Sequence, residues 1–372
     1  MTLLAAITGP AAAAAAANLI VFTPGAAPPP PTSSALPTQI PPSEWSLYPA
    51  DPALATAASF LSASLSSNSV SLPRFRSLLT SFLTTLSQSL SLRTPSSNVS
   101  LAIRSIAPYF PGALASPVAS RAATLAEYDV VLALADCCLL RHPPPNLLSS
   151  LSEAGRPDLV CAVVRRAADL RSSELLATLR CFLSPASDAA YDAMMSVKNR
   201  WKEAAVGAVD LCREKGAAMI ANATGKKAAM LLMMAHDGFT SPEVCLHYLF
   251  ASGNVDSVVL GAAVAELDGG EVVRLMEYLT KWIGKYQRFP EAQPYPEAVG
   301  IPGLELCDSV PSFGVVTRAL GLVLDEHFSH LVLNADLKEY LKTTEMMVKQ
   351  LTAEAESSGP ILDLLRLLQH DV

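Results

Sequence analysis

The segment 268–286 constrains the fold class more firmly than any other part of the chain. Asp268 and Glu271 have capping-box spacing: each carboxylate can accept from the other residue's backbone N–H. Leu267 and Val272 flank that cap at hydrophobic-staple positions. Behind it Val272, Leu275, Met276, Leu279, Ile283 and Tyr286 recur at helical spacing and make one apolar stripe. Strand alternation would scatter the same residues over two faces. A second segment, 313–331, is denser. Val316, Ala319, Leu320, Val323, Leu324, His327, Phe328 and Leu331 cover more than one face, which predicts a helix inside a helical stack.

The rest of the chain repeats this grammar after an unusual start. Residues 1–50 carry an alanine run and then Pro24, Pro28 to Pro31, Pro37, Pro41 and Pro42, a composition that predicts a disordered, Ala/Pro-rich N-terminus. From residue 51 helices are expected over 52–66, 73–92, 97–108, 116–140, 146–153, 157–170 and 172–183, delimited by Pro, Ser and Gly. Ser187 is placed to cap a long helix reaching about residue 222. Helices over 226–236, from Ser241 (N-cap) with Pro242 next, and over 254–267 follow. Pro290, Pro294, Pro296 and Pro302 predict a flexible loop over 287–310. After the dense helix, Asn334 is placed to cap a helix over 335–357, and Ile361 to Gln369 reads as a last short one. The expected fold is therefore all-α, an irregular helical array or solenoid-like bundle. Lys198 is the first lysine, and charge is sparse before it. That shift suggests an N-terminal helical array over 51–185 and a C-terminal helical domain over 187–372.

Composition narrows the function classes. The net charge of −7 argues against a protein dedicated to gripping nucleic acid, which needs clustered Lys and Arg. The seven cysteines are odd in number and contain no C-x-x-C, so reduced, buried thiols are expected. The apolar run 11–22 is too short to span a bilayer and includes Asn18. No Lys or Arg precedes Arg74, so a secretory n-region is missing; residues 1–43 also lack Asp and Glu, which leaves an organellar targeting segment open.

Motifs for chemistry are thin. In Ala223-Thr-Gly-Lys-Lys227 the first P-loop glycine is replaced by Ile220, and Lys227 stands where Ser or Thr should be. His327 and His330 share a helix face, but Cys307, Cys245 and His247 do not complete a zinc spacing. No nucleophile elbow or Cys–His–Asn pattern occurs. The expectation is a non-enzyme with no cofactor and no metal. Tyr278, Trp282, Tyr286 and Phe289 form an aromatic stripe that suits a contact surface. Equally, their spacing suits the helical core.

The stretch Leu320-Gly-Leu-Val-Leu-Asp-Glu-His-Phe-Ser-His-Leu-Val-Leu-Asn-Ala-Asp-Leu-Lys-Glu-Tyr-Leu341 resembles the C-terminal domain of nucleolar protein eleven, as does the preceding Leu275-Met-Glu-Tyr-Leu-Thr-Lys-Trp-Ile283. The likeness extends loosely over 187–369 and is sharp over the quoted segments. It implies a non-catalytic scaffold of the t-UTP subcomplex in the small-subunit processome, supporting rRNA transcription and pre-18S rRNA processing. Implied with it are a nucleolar location and partners among other processome subunits, with pre-rRNA reached through the complex and no membrane partner. His327 and Phe328, in the motif, join the aromatic stripe as candidate interaction residues. The family carries an N-terminal β-propeller, whereas residues 1–180 show no blade-like strands. The alternative is a helical-repeat adaptor in membrane traffic or an organelle.

Overall fold

The computed structural model describes residues 52–66, 70–90, 98–214, 223–253, 255–290, 292–294, 301–333, 338, 340–353 and 356. The expected disordered N-terminus, the cap at Asn334 and the helix 361–369 lie outside them. Among the described residues every regular element is a helix, so the chain is all-α. It divides into two compact units at Leu139–Leu140. The boundary expected near 186 falls inside the second unit. Sparse charge marks how a surface is composed, not which helices pack together.

In the first unit, α1 (Pro52–Ser66) buries Leu54, Ala58, Leu61 and Leu65 along one stripe. It packs on α2 (Leu72–Ser89) and α4 (Gly112–Thr124). The Arg121 guanidinium donates to the Leu65 carbonyl at 3.0 Å, satisfying an acceptor in the last turn of α1. Asn98 caps α3 (Val99–Ile106), its side chain accepting from Ser100 N and Leu101 N. Phe82 and Phe110 meet edge to face at 6.0 Å.

The single helix expected over 116–140 is two: α4, and α5 (Tyr128–Asp136). Ala126 breaks it with φ 57°, and the Glu127 N–H reaches back to Ala122 O at 2.8 Å. This is a Schellman stop with alanine where glycine is usual. Cys138 (φ 58°) ends α5 in the same way, with Leu139 N on Leu134 O. Neither stop contains the glycine that would have announced it.

The second unit comprises α6 (Leu147–Glu153), α7 (Pro157–Val164), α8 (Ser172–Leu183), α9 (Asp188–Glu214), α10 (Ala223–His236), α11 (Ser241–Ala251), α12 (Ser257–Ala265), α13 (Gly269–Arg288), a 3-10 turn (Glu305–Ser309), α14 (Phe313–Leu333) and helical residues 340–353. At its centre, α11 buries Ser241 and every residue from Glu243 to Phe250. It packs on α7, α8, α9, the 3-10 turn and α14. Its N-cap is Thr240, not Ser241: the Thr240 N–H donates to Glu243 Oε2 at 2.6 Å. Asp256 caps α12, so that helix starts later than expected. The box on α13 forms as its spacing predicts, with Glu271 N to Asp268 Oδ1 at 2.8 Å and Asp268 N to Glu271 Oε2 at 3.0 Å.

The expected flexible loop over 287–310 is partly ordered packing. Leu304, Leu306, Cys307 and Val310 are buried. Asp308 receives the Arg165 guanidinium at 2.6 Å. Apolar side chains at Leu304, Leu306 and Val310 hold this proline-rich segment against α10 and α11.

The dense helix α14 is interior only in part. Val316, Ala319, Leu320, Val323 and Leu331 are buried against α12 and α13, while Phe328 is exposed. The stretch 305–333 is long and apolar enough to cross a membrane, yet half of its most apolar window is buried by the protein's own helices.

Ala126→Gly should stabilise the chain by about 0.5 kcal/mol, because relief of left-handed strain outweighs glycine's greater unfolded-state entropy. Urea unfolding measures this; a lower midpoint in the variant refutes the strain argument. Asp268→Ala should cost about 1 kcal/mol in the same assay, and Asp268→Asn only a fraction of that.

Candidate interaction surface

The aromatic stripe of α13 does not lie on a surface. Tyr278, Trp282 and Tyr286 are buried, and only Phe289, past the helix end, is exposed. The contact-surface expectation is therefore corrected for those three. They continue the stripe of Leu275, Leu279 and Ile283 around the helix, and α13 is buried over that wider arc. Trp282 and Tyr286 stack on each other at 5.5 Å, and further ring neighbours come from α11 and from the turn before it. Phe239 lies 5.0 Å from Trp282 and 5.7 Å from Tyr278. Tyr286 donates its hydroxyl to Pro311 O.

His247 of α11 sits in the middle of these rings, 4.7 Å from Phe239, 5.1 Å from Trp282 and 5.3 Å from Trp201. Its Nε2 is 2.9 Å from Ala235 O. A carbonyl can only accept, so Nε2 carries the proton and Nδ1 accepts from the Tyr278 hydroxyl at 3.0 Å. Burial drives its pKa down from 6.5 to about 3, with a smaller push from Lys285 and an opposing one from the Ala235 carbonyl. A neutral imidazole with both nitrogens engaged is a structural link between α10, α11 and α13, not a titrating catalyst.

The other two candidates lie where α14 bends. His327 has non-helical torsions, φ −114° and ψ 18°. Its Nε2 donates to Val264 O at 2.8 Å, so the side chain satisfies a carbonyl in the last turn of α12. Beyond this bend the helix turns apolar groups outward: Phe328 is 65% exposed, Val332 58% and Leu333 84%. His330 goes elsewhere, its ring lying against Gly269 so closely that a β-carbon there would meet it at 2.7 Å. The two histidines therefore have separate tasks, and among the described residues no group of three His, Cys, Asp or Glu is disposed to hold a metal.

A cleft of about 450 Å³ opens beside the N-terminus of α11, floored by Phe182, Leu183 and Leu246 and edged by Arg274, Glu277 and Lys281. Its charges are largely committed. Lys281 Nζ bridges both Glu243 oxygens at 2.7 and 2.9 Å, and Arg274 donates to Ser184 Oγ. Thiol chemistry is equally muted. Burial raises Cys161, pushes Cys181 up to about 11 and Cys307 up to about 12, so each stays a thiol near neutrality. Cys138 is exposed and Cys137 half-buried, departing from the expectation that the cysteines are buried. Gly225, Lys226 and Lys227 belong to α10 rather than to a phosphate-binding loop.

No protein family, curated protein or solved structure was found to match this chain. Sequence reasoning missed His247 as the centre of the core. The only signal was a histidine inside an apolar segment.

The depressed His247 pKa fixes a pH dependence. The unfolded imidazole takes a proton near pH 6.5 and the folded one only near pH 3. Its contribution is thus complete above pH 6.5 and is lost by about 1.4 kcal/mol per unit as pH falls towards 3. His247→Gln should be less stable at pH 7, and its deficit should shrink as pH drops to 4. Denaturant titrations across that range test this, and a constant deficit overturns it.

Proposed function

We propose that this chain is a non-catalytic helical scaffold in ribosome biogenesis, acting within the small-subunit processome to support rRNA transcription and pre-18S rRNA processing. The observation that carries the reading is the outward apolar tip of α14. Phe328, Val332 and Leu333 are exposed within the stretch whose sequence resembles the C-terminal domain of nucleolar protein eleven. Exposed aromatic and branched side chains on a helix are the usual anchors for a partner helix laid along them. The all-α fold supports the same reading, because it supplies stiff surfaces rather than a reactive centre.

Affinity purification of the tagged full-length protein should recover processome subunits, and its fluorescence should be nucleolar. The double variant Phe328→Asp/Leu333→Asp should lose at least tenfold of that recovery while keeping its helical circular dichroism and melting temperature. Residence on cytoplasmic vesicles or in an organelle, with no processome subunits recovered, overturns the proposal.

A further inference from the structure

Exposed apolar side chains gather on the hairpin of α9 and α10. Tyr191, Met195 and Val206 stand out from α9, and Met230 and Met233 from α10. On α9 they belong to one row, Tyr191, Met195, Lys198, Lys202 and Val206, at i, i+4, i+7, i+11 and i+15. The row on α10 is Lys226, Met230 and Met233, at i, i+4 and i+7. Each row is a buried one moved on by a single residue: Ala190, Met194, Val197, Trp201 and Ala205 on α9, and Ala229 and Leu232 on α10. Both rows therefore border the buried face of their helix and do not stand opposite it.

The two rows flank one groove. α9 and α10 pack on each other. Just past the end of α10, Ser241 Oγ donates to Met195 Sδ at 2.8 Å, so the chain that left α9 at Glu214 has come back to its Met195. α10 thus runs antiparallel to α9, and that register sets Met233 level with Lys202 and Met230 level with Val206. Burial lowers the His236 pKa, and Lys198 and Lys202 lower it further, as the same register requires. Among the described residues no carboxylate pairs with Lys198 or Lys202. The acids nearby face elsewhere or stand at the ends. Asp192 and Glu203 line another groove with Arg200, Asp237 meets Lys285 at 3.9 Å, and Asp210 lies a turn beyond Val206.

An apolar trough with methionine walls and lysines at its middle suits a helix that carries an apolar stripe and acidic neighbours. A second copy of the chain would bring the same two lysines to the same place. We infer that the groove between α9 and α10 docks an amphipathic helix of an acidic partner protein, its stripe on Met195, Val206, Met230 and Met233 and its carboxylates against Lys198 and Lys202. This face is not the α14 tip, and its role stands or falls independently of the scaffold reading.

The test is fluorescence anisotropy of two labelled model helices titrated with the full-length protein. Both peptides have about 18 residues with leucine at i, i+3, i+4 and i+7; one carries glutamate beside the stripe and the other lysine. The glutamate helix should bind about tenfold more tightly than the lysine helix, and Lys198→Glu/Lys202→Glu should reverse that order. Met230→Asp/Met233→Asp should weaken the glutamate helix about tenfold, whereas Phe328→Asp/Leu333→Asp should leave it unchanged. Circular dichroism checks the fold of each variant. Absence of binding, equal binding of the two helices, a charge order that survives Lys198→Glu/Lys202→Glu, or loss of binding in the α14 variant instead each overturns the proposal. So does concentration-dependent dimerisation abolished by Met230→Asp/Met233→Asp, which assigns the groove to a second copy. Peptide binding about tenfold tighter once residues 357–372 are removed also overturns it, and assigns the groove to the chain's own residues 361–369.

Discussion

A buried imidazole that stays uncharged is the constraint on which the second unit depends. His247 cannot be replaced by an aliphatic residue without stranding two groups at once, the Tyr278 hydroxyl and the Ala235 carbonyl. Those two groups belong to different helices, so the ring fixes their relative position as well as filling space. The aromatic shell makes the arrangement stiff, since flat rings at 4.7 to 5.7 Å pack in few ways. It is not free of cost. The Trp201 indole N–H and the Tyr248 hydroxyl are buried without partners, each a loss of about 1–3 kcal/mol against a satisfied group. The surrounding apolar packing must offset that deficit, which leaves little tolerance for cavities near α11.

What was legible in the sequence was whatever a side chain announces locally. The capping box at Asp268 and Glu271 formed as its spacing required, and α1 and α8 fell close to where proline and serine placed them. What stayed hidden was whatever a backbone does without a marker. Ala126 and Cys138 adopt left-handed torsions that glycine usually signals, so two helices read as one. The ordered part of the 287–310 segment was hidden too, because proline content describes the chain's stiffness and not the pockets waiting for Leu304 and Leu306.

The candidate site shows the same division. Helical spacing placed Tyr278, Trp282 and Tyr286 on one arc, but only the partner helices decide whether an arc faces water. Helical spacing set His327 beside His330, but the fold commits its ring to the Val264 carbonyl instead.

The bend at His327 gives α14 two owners. Its first half is held by the core, and its second half is placed by the His327 bond to the end of α12, by buried Leu331 and by the His330 ring against Gly269. Orientation of the apolar tip is thus separable from its composition. A change at His327 or at the end of α12 can swing Phe328 and Leu333 to a new heading without altering either residue. Two chains with the same tip residues but a different bend would present them at different angles.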